Sequence, residues 1–488
     1  MTVARLVFPA LRWRDRDVDG VWPEVRDAID LGVGGFVVFG GSVSMMRGLY
    51  DRTWDHAGRP LLFAADLERG AGQQLTEATP LPPAAALATL RDQDVMEAAL
   101  LTAQEAAAAG IGWVLAPVAD LDVEPENPII GTRSFGPDPA AVAVRAAAWI
   151  KVVQMEGVLA CAKHFPGHGR TTADSHSRLP IVSASARTLE EDLVPFRAAV
   201  EAGVASVMMA HVAYPALDPS RMPASLSPAI VGILRNDLDF GGLIVTDAMI
   251  MEGAAVATPA GEPPAVTAVR AGCDVVLYPK SPRATVSALE AAVRSGKLAE
   301  DRAAESVSYV ERLAETVAVT GEVLTPLPSH ERALDLATRS VQVIRGAPPH
   351  LARGARVRLH IIDDDRAGAS ASPFAAPGRA GTDRAAFRHA LLQRGIDVVG
   401  PDFSGRALHL IAAYSDVRAW KDRSGLAPQT IGEIRARIER APEATVVLFA
   451  HPRLAERLPD AAHVIGAWSG EPLMQEATAQ RLMVGGTG

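Results

Sequence analysis

Cysteine and long apolar runs are scarce in this sequence, and each scarcity excludes a class of protein. Only two cysteines occur in 488 residues, Cys161 and Cys273, and both lie in apolar stretches, which argues against disulfides and a cysteine-based metal site. No apolar run approaches the ~18 residues typical of a membrane-spanning helix. The N-terminal stretch MTVARLVFPALRWRDRD returns to acidic residues too early for a secretory signal. We therefore expect a soluble, cytoplasmic protein.

Positive charge is also limited. Lysine and arginine together number 48 against 57 acidic residues, which leaves a formal net charge of −9, and no basic run occurs. A surface that binds nucleic acid or an anionic membrane is therefore not expected. A largely uncharged substrate is consistent with this acidic balance, and the oligomeric state is left open.

The sequence does contain a regular alternation of short apolar runs and Ala-rich amphipathic stretches. The runs lie at 6–13, 34–41, 61–68, 113–122, 158–168, 206–214, 242–249 and 274–280. Apolar strands separated by helices are typical of a parallel sheet covered on both faces, and eight such units predict a (β/α)₈ TIM barrel. Start and stop signals predict helices over 83–110 and 138–157, the second capped by Asp138.

A smaller alternation follows the barrel. The turn-rich segment 320–330 is typical of a linker, and a helix is predicted over 331–344. The predicted division is 1–320 for a TIM-barrel catalytic domain, 321–340 for a linker and 341–488 for a C-terminal α/β domain. Its predicted strands lie at 357–363, 396–400, 407–414, 445–452 and 463–468, and its helices near 384–394, 429–440 and 472–483. This pattern predicts an open α/β sandwich, and because no Gly-rich phosphate loop follows its strands, no dinucleotide site is expected.

Polar side chains gather where the predicted barrel strands end. They are Asp66, Asp120, Asp122, Lys163, His164, His168, His211 and Asp247. The carboxyl ends of barrel strands share one mouth, where active sites are built, so these residues are candidates for a single site.

The densest cluster is CAKHFPGHGRTTADSH, residues 161–176. Asp174 and His176 are two residues apart, so both side chains project on one side of an extended stretch. A carboxylate beside an imidazole fixes its tautomer and raises its pKa, which produces a general acid/base. The alternative is a metal site formed by His164, His168 and His176, although no HExxH-type context accompanies it.

Several motifs resemble those of bacterial β-N-acetylglucosaminidases of glycoside hydrolase family 3. They are KHFPGHG with ADSH, then VTDAM, AADLERGAGQQ, NPIIGTRSFGPDP, AHVAYPALD and PASLS, in the family's order. The resemblance covers residues 1 to about 320 continuously. It is fainter over the remainder, where GEPLMQEATAQRLMVG is similar to the end of the α/β domain of some members.

The resemblance implies roles for individual residues. Asp247 is the expected nucleophile, and His176 is the expected general acid/base with Asp174 as its partner. The expected substrate ligands are Asp66, Arg133, Lys163, His164 and His211, although a structural role is favoured for His211 and for Asp120. No cofactor or metal is implied.

Three positions depart from the family pattern. Gln74 stands where an Arg is common, Arg69 stands where the pattern has Gly, and Arg170 stands where Asp is frequent. They leave the catalytic residues in place but alter the surroundings of the expected sugar site.

The function expected from these features is a retaining exo-β-N-acetylglucosaminidase that acts on peptidoglycan fragments or chitooligosaccharides through a glycosyl-enzyme. One alternative is phosphorolysis on the same scaffold, aided by Arg69 or Arg170, because a neutral His does not repel phosphate. A metal-dependent TIM-barrel hydrolase is another. A catalytically silent sugar-binding protein would lack Asp247, Asp174 or His176, and all three are present.

Overall fold

Two mainly parallel sheets organise the chain. The computed structural model describes residues 2–175, 178–251, 253, 258, 261–318, 329–365, 383–400, 402–417, 421, 423–460 and 463–483. Within these ranges, no helix combines the length and apolarity that a membrane crossing needs. Cys161 and Cys273 are buried free thiols.

The first sheet closes into a barrel. Its strands are β1 (Val7–Phe8), β2 (Ala10–Arg12), β3 (Gly35–Phe39), β4 (Leu62–Ala65), β5 (Trp113–Val114), β6 (Leu159–Phe165), β7 (Ser206–Met209), β8 (Leu243–Thr246) and β9 (Val276–Leu277). Neighbouring strands from β2 to β8 pair in parallel. Pro9 divides the first strand into β1, which pairs with β9, and β2, which pairs with β3. A bridge between Val245 and Val275 completes the ring, so the predicted eight-unit barrel is confirmed.

Helices cover the outside of the barrel. They are α1 (Val18–Leu31), α2 (Val43–Ala57), α3 (Ala84–Leu87), α4 (Asp92–Ala108), α5 (Pro139–Met155), α6 (Ala186–Glu201), α7 (Pro228–Gly232), α8 (Pro264–Ala271), α9 (Pro282–Arg294) and α10 (Glu300–Ala318). The helix predicted over 138–157 is α5, and Asp138 caps it by accepting the Ala141 N–H at 2.8 Å.

The single helix predicted over 83–110 is wrong, because the structure divides it into α3 and α4. The Thr89 hydroxyl donates to the Ala86 carbonyl at 2.7 Å, and Asp94 accepts the Arg91 N–H at 3.1 Å. These contacts end one helix and begin the next, since a side chain satisfies the N–H at the new helix start.

The second sheet has six strands. They are β10 (Gln342–Arg345), β11 (Arg356–Asp363), β12 (Asp397–Val398), β13 (Leu408–Ser415), β14 (Thr445–Ala450) and β15 (His463–Gly466). Their spatial order is β10-β15-β14-β13-β11-β12, and every pair is parallel except β10 with β15. The five predicted strands are therefore present, and β10 adds an antiparallel edge.

The helices of this part are α11 (Ser329–Ser340), α12 (Ala386–Gln393), α13 (Pro428–Arg440) and α14 (Pro472–Met483). The helix predicted over 331–344 ends at Ser340, since the β-branched stretch after it forms β10. We call residues 329–483 the C-terminal unit. Residues 321–328 of the predicted linker lie outside the described residues, so the division at 320 and 341 stays a prediction.

One apolar core runs from the barrel into the C-terminal unit. Leu87 of α3, Leu336 of α11 and Leu473 of α14 belong to the same cluster of buried side chains. A smaller core on the other face of the second sheet includes Ile434 of α13. The first of these cores brings the C-terminal unit against the barrel.

Candidate active site

Four charged side chains form a network at the carboxyl ends of β4 and β6. Lys163 Nζ lies 2.6 Å from Asp66 Oδ1 and 2.7 Å from Glu68 Oε1. Arg133 donates to both Glu68 oxygens, at 2.9 and 2.8 Å. The structure thus brings together three predicted sugar ligands, Asp66, Lys163 and Arg133. Glu68 joins them, and the sequence analysis missed it although it lies in the AADLERGAGQQ motif.

The network is charged and unevenly exposed. Burial would raise the pKa of Glu68, but Arg133 and Lys163 outweigh it and lower that pKa well below its usual value. Burial would lower the pKa of Lys163, but Asp66 and Glu68 raise it. The side chain of Asp66 is 33% exposed, against 2% for Lys163 and 6% for Glu68. Asp66 is therefore the carboxylate most open to a ligand, while Glu68 aligns the two cations.

Asp120 organises the segment that follows β6. It is buried, and its Oδ2 lies 2.7 Å from His164 Nδ1. Its Oδ1 accepts the backbone N–H groups of His164 at 3.1 Å and His168 at 2.6 Å. Because Asp120 occupies Nδ1, a ligand would meet His164 through Nε2. These contacts agree with the structural role expected for Asp120.

His168 is enclosed by hydroxyl groups. Its Nε2 lies 3.0 Å from Ser175 Oγ and its Nδ1 lies 2.9 Å from Thr171 Oγ1. Burial, and then the nearby His164, lower the pKa of His168 to about 4, although Asp120 and Asp247 act in the opposite direction. His168 is therefore neutral at pH 7. Both of its ring nitrogens are occupied, which contradicts its place in the alternative three-histidine metal site.

The glycines of the KHFPGHG motif allow close packing. A Cβ on Gly169 would lie 1.8 Å from the Leu121 carbonyl oxygen. Gly167 has φ +134°, and a Cβ there would lie 2.8 Å from Asp192 Cβ. The buried Tyr214 hydroxyl donates to the Gly167 carbonyl at 2.8 Å. A side chain at either position would clash with its neighbours, so both positions require glycine.

Asn127 joins the loop after β5 to the loop after β6. Its Nδ2 donates to the carbonyls of His168 at 2.9 Å and Gly169 at 3.0 Å, and its Oδ1 accepts the Ile129 N–H at 2.9 Å. Asn127 was not among the residues predicted from sequence, although it opens the NPIIGTRSFGPDP motif. Asn127 therefore links the stretch that carries Arg133 to the stretch that leads to Asp174.

Asp247 follows β8 directly and is half-buried. Its Oδ1 accepts the Ala248 N–H at 2.7 Å, which orients the carboxylate at the barrel mouth. Asp174 is buried, and the carbonyl of the adjacent Ser175 accepts the N–H of Gly253, six residues beyond Asp247, at 3.3 Å. The two strand-end segments that carry the predicted nucleophile and the predicted partner carboxylate are thus joined.

The remaining predicted residues lie as follows. His211 is buried beside the PASLS segment, with Nδ1 2.7 Å from Ser225 Oγ. Asp122 is half-buried, and its carboxylate lies 2.7 Å from Arg453 of the C-terminal unit. His176 lies outside the described residues.

The three departures from the motif pattern are all engaged in contacts. Gln74 is buried and accepts the Gly40 N–H at 3.3 Å. Arg69 pairs with Glu471 of the C-terminal unit at 2.7 Å. Arg170 pairs with Asp192 at 2.7 Å and with Glu191 at 3.1 Å. Since carboxylates neutralise both arginines, neither adds uncompensated positive charge that would favour phosphate.

The chain is similar to several known proteins. Residues 28–313 match the model of the glycosyl hydrolase family 3 N-terminal domain. A β-N-acetylglucosaminidase/β-glucosidase of Cellulomonas fimi is 33% identical over 383 residues, which cover 73% of this chain and 67% of that protein. A β-hexosaminidase of Nitrosospira multiformis is 37% identical over 267 residues, or 52% of this chain and 75% of that one. The solved structure of a family 3 β-N-acetylglucosaminidase from Paenibacillus superposes with a TM-score of 0.82 at 26% identity, covering 99% of this chain and 96% of the other.

Proposed function

The chain belongs to glycoside hydrolase family 3, and from this membership we propose that it is a retaining exo-β-N-acetylglucosaminidase. Relatives named β-hexosaminidase and a family 3 β-N-acetylglucosaminidase structure support this activity. The proposed substrate is a β-glycoside with a terminal GlcNAc, drawn from peptidoglycan fragments or chitooligosaccharides.

The position of Asp247 is the observation that carries the proposal. This carboxylate follows β8 at the same barrel mouth as the network of Asp66, Glu68, Lys163 and Arg133, where a bound sugar would place its anomeric carbon. A half-buried carboxylate there can attack that carbon and form a covalent glycosyl-enzyme. The anomeric bond to the leaving oxygen breaks as the bond to Asp247 forms.

His176 is proposed to protonate the leaving oxygen and then to activate the water that hydrolyses the glycosyl-enzyme. Asp174, which is buried two residues earlier, would keep the imidazole in one tautomer and stabilise its protonated form. The water oxygen then replaces Asp247 on the anomeric carbon, so the configuration is retained.

The charged network is proposed to bind the sugar hydroxyls and the acetamido group. Asp66 is the exposed acceptor, and Arg133 is a planar donor aligned by Glu68. His164, fixed by Asp120, would donate or accept through Nε2. Such hydrogen bonds contribute to catalysis where they strengthen as the ring flattens toward the transition state.

Assay with 4-nitrophenyl β-GlcNAc tests the proposal. We expect the wild type to release GlcNAc with retained configuration, and Asp247→Asn to reduce kcat/KM by about 1,000-fold or more because the nucleophile is lost. Asp237→Asn is the matched control, since this carboxylate is exposed ahead of β8 and should leave the rate unchanged.

The same assay with and without inorganic phosphate separates hydrolysis from phosphorolysis. We expect free GlcNAc in both conditions. Formation of GlcNAc-1-phosphate as the main product would contradict hydrolysis, and activity that a chelator abolishes would favour the metal-dependent alternative.

A further inference from the structure

The carboxyl-end edge of the second sheet faces the barrel mouth. Glu471, which follows β15, reaches Arg69, and Arg453, which follows β14, reaches Asp122. A Cβ on Gly131 of the barrel would lie 3.1 Å from Val417, which follows β13. In parallel α/β sheets this edge is where ligand-binding loops usually lie. Here it contacts the loops of another sheet instead.

The first point of contact is the barrel loop 66–74. Arg69 Nη1 lies 2.7 Å from Glu471 Oε1, and both side chains are largely shielded from water. Arg69 is adjacent to Glu68, which aligns Arg133 and Lys163. Because Arg69 directly follows Glu68, this ion pair connects the C-terminal unit to the charged network.

The second point of contact is the barrel loop 120–136. Asp122 lies 2.7 Å from Arg453 Nη1 and 3.1 Å from His451 Nε2. Burial would raise the pKa of Asp122, but His451 and Arg453 outweigh it and lower that pKa, so the carboxylate is charged. Asp122 is two residues beyond Asp120, the anchor of His164.

A third ion pair contacts the same loop nearer its middle. Arg457 of the C-terminal unit bonds Glu126, and the next residue is Asn127, which supports the KHFPGHG segment. Arg133 lies farther along this loop. The C-terminal unit therefore contacts this loop at Asp122 and Glu126, both of which precede Arg133.

We infer that the C-terminal unit positions the sugar-binding loops of the barrel through a clamp, defined as the pairs Arg69–Glu471, Asp122–Arg453 and Glu126–Arg457. Irregular loops have few backbone hydrogen bonds of their own, so the two partly buried pairs of the clamp restrict them more than the exposed Glu126–Arg457 pair does. Glu471 and Arg453 are therefore positioning residues that act through Glu68 and Arg133. The inference rests on the proposed function for its substrate but not for its geometry.

Steady-state kinetics of the full-length protein with 4-nitrophenyl β-GlcNAc test the clamp. Glu471→Gln and Arg453→Gln should each raise KM about five- to tenfold while kcat changes less than about twofold, because ground-state and transition-state contacts to the sugar weaken together. Arg339→Gln is the matched control. It removes an ion pair with Asp94 at 2.9 Å that also joins the C-terminal unit to the barrel but touches helix α4 rather than a mouth loop. It should lower the unfolding temperature and leave KM unchanged.

A charge exchange distinguishes positioning from direct contact with substrate. The double variant Arg69→Glu/Glu471→Arg keeps the pair with reversed charges, so KM should return to within about twofold of the wild type. A KM that stays as high as in Glu471→Gln would overturn the inference, because it would mean that Glu471 meets the sugar itself.

Amide hydrogen exchange provides a readout that does not need activity. Exchange should become faster at residues 66–74 in Glu471→Gln and at 120–136 in Arg453→Gln, and in neither loop in Arg339→Gln. Equal exchange in all four proteins would overturn the clamp. A wild type that cleaves no GlcNAc glycoside but shows these exchange differences would overturn the proposed function and leave the clamp supported.

Discussion

The buried Lys163 shows how single residues define this site. Only five lysines occur in the chain, and this one lies beside His164 in the mainly apolar strand β6. A buried ammonium group is costly unless carboxylates compensate it, and Asp66 and Glu68 do so at 2.6 and 2.7 Å. Two carboxylates follow β4 because together they compensate the charges of Lys163 and Arg133.

The neutral, buried His168 makes stability depend on pH. Its pKa is lowered from 6.5 to about 4 in the folded protein, so the unfolded chain binds the extra proton between these values. Its contribution to stability is complete above pH 6.5 and is lost as the pH falls toward 4. We expect this group to account for up to about 3 kcal/mol of lost unfolding free energy over that window.

Denaturant titrations of His168→Gln at several pH values test this expectation. The glutamine can still hydrogen bond to hydroxyls but does not titrate, so the slope of unfolding free energy between pH 4 and 6.5 should become shallower. His350→Gln, which changes an exposed histidine, should keep the wild-type slope. An identical slope in all three proteins would mean that His168 is protonated in the folded state.

Among the structural elements, the loop after β6 is held in its conformation by hydrogen bonds from neighbouring loops. Asp120 accepts its N–H groups, Asn127 donates to its carbonyls and Tyr214 bonds Gly167. Asp120 and Asn127 belong to the loop after β5, and Tyr214 follows β7. The loop that leads to Asp174 is therefore fixed by packing rather than by local propensity.

Gly169→Ala should disable this loop. The new Cβ would lie 1.8 Å from the Leu121 carbonyl oxygen, so the backbone must shift and the residues that follow must move with it. We expect kcat/KM to fall on the order of 100-fold, since small displacements of catalytic groups have effects of this size.

Gly241→Ala is the matched control for that change. No atom lies within 4 Å of a Cβ at this position, so its kinetics should equal those of the wild type. Wild-type activity in Gly169→Ala, measured with the same aryl glycoside, would show that the loop does not depend on this close approach.

At the scale of the whole molecule, the barrel and the C-terminal unit are joined by a continuous apolar core. Leu87, Leu336 and Leu473 lie in one cluster, and Arg339 of the C-terminal unit pairs with Asp94 of the barrel at 2.9 Å. Removing either part would expose the apolar face of the other. The two parts are therefore expected to stabilise each other.

Calorimetry should show one unfolding transition for the full chain. Leu336→Ala, which shortens a buried side chain of α11, should lower the midpoint of that single transition because the shared core loses about 2–5 kcal/mol. Two resolved transitions in the wild type, or a shift in only one of them in the variant, would show that the parts unfold independently.

Much of the fold follows from local patterns. Apolar runs covered on both faces predict the eight barrel strands, and polar residues at their ends predict that Asp66, Lys163 and Asp247 share one mouth. The predicted strands of the second sheet are also present. The prediction of one helix over 83–110 was wrong because periodicity does not reveal capping contacts. Asp94 accepts the Arg91 N–H and so begins a second helix.

The barrel, the polar residues at its strand ends and the family motifs can all be identified from the amino-acid sequence, because they depend on periodicity and on neighbours along the chain. Three contacts become visible only in the folded protein: Glu68 with Arg133, Arg69 with Glu471 and Arg170 with Asp192. The first two of these contacts join residues 65 and 402 positions apart. Such pairings depend on how the sheets close and pack, and no local pattern encodes the partner of a charged side chain.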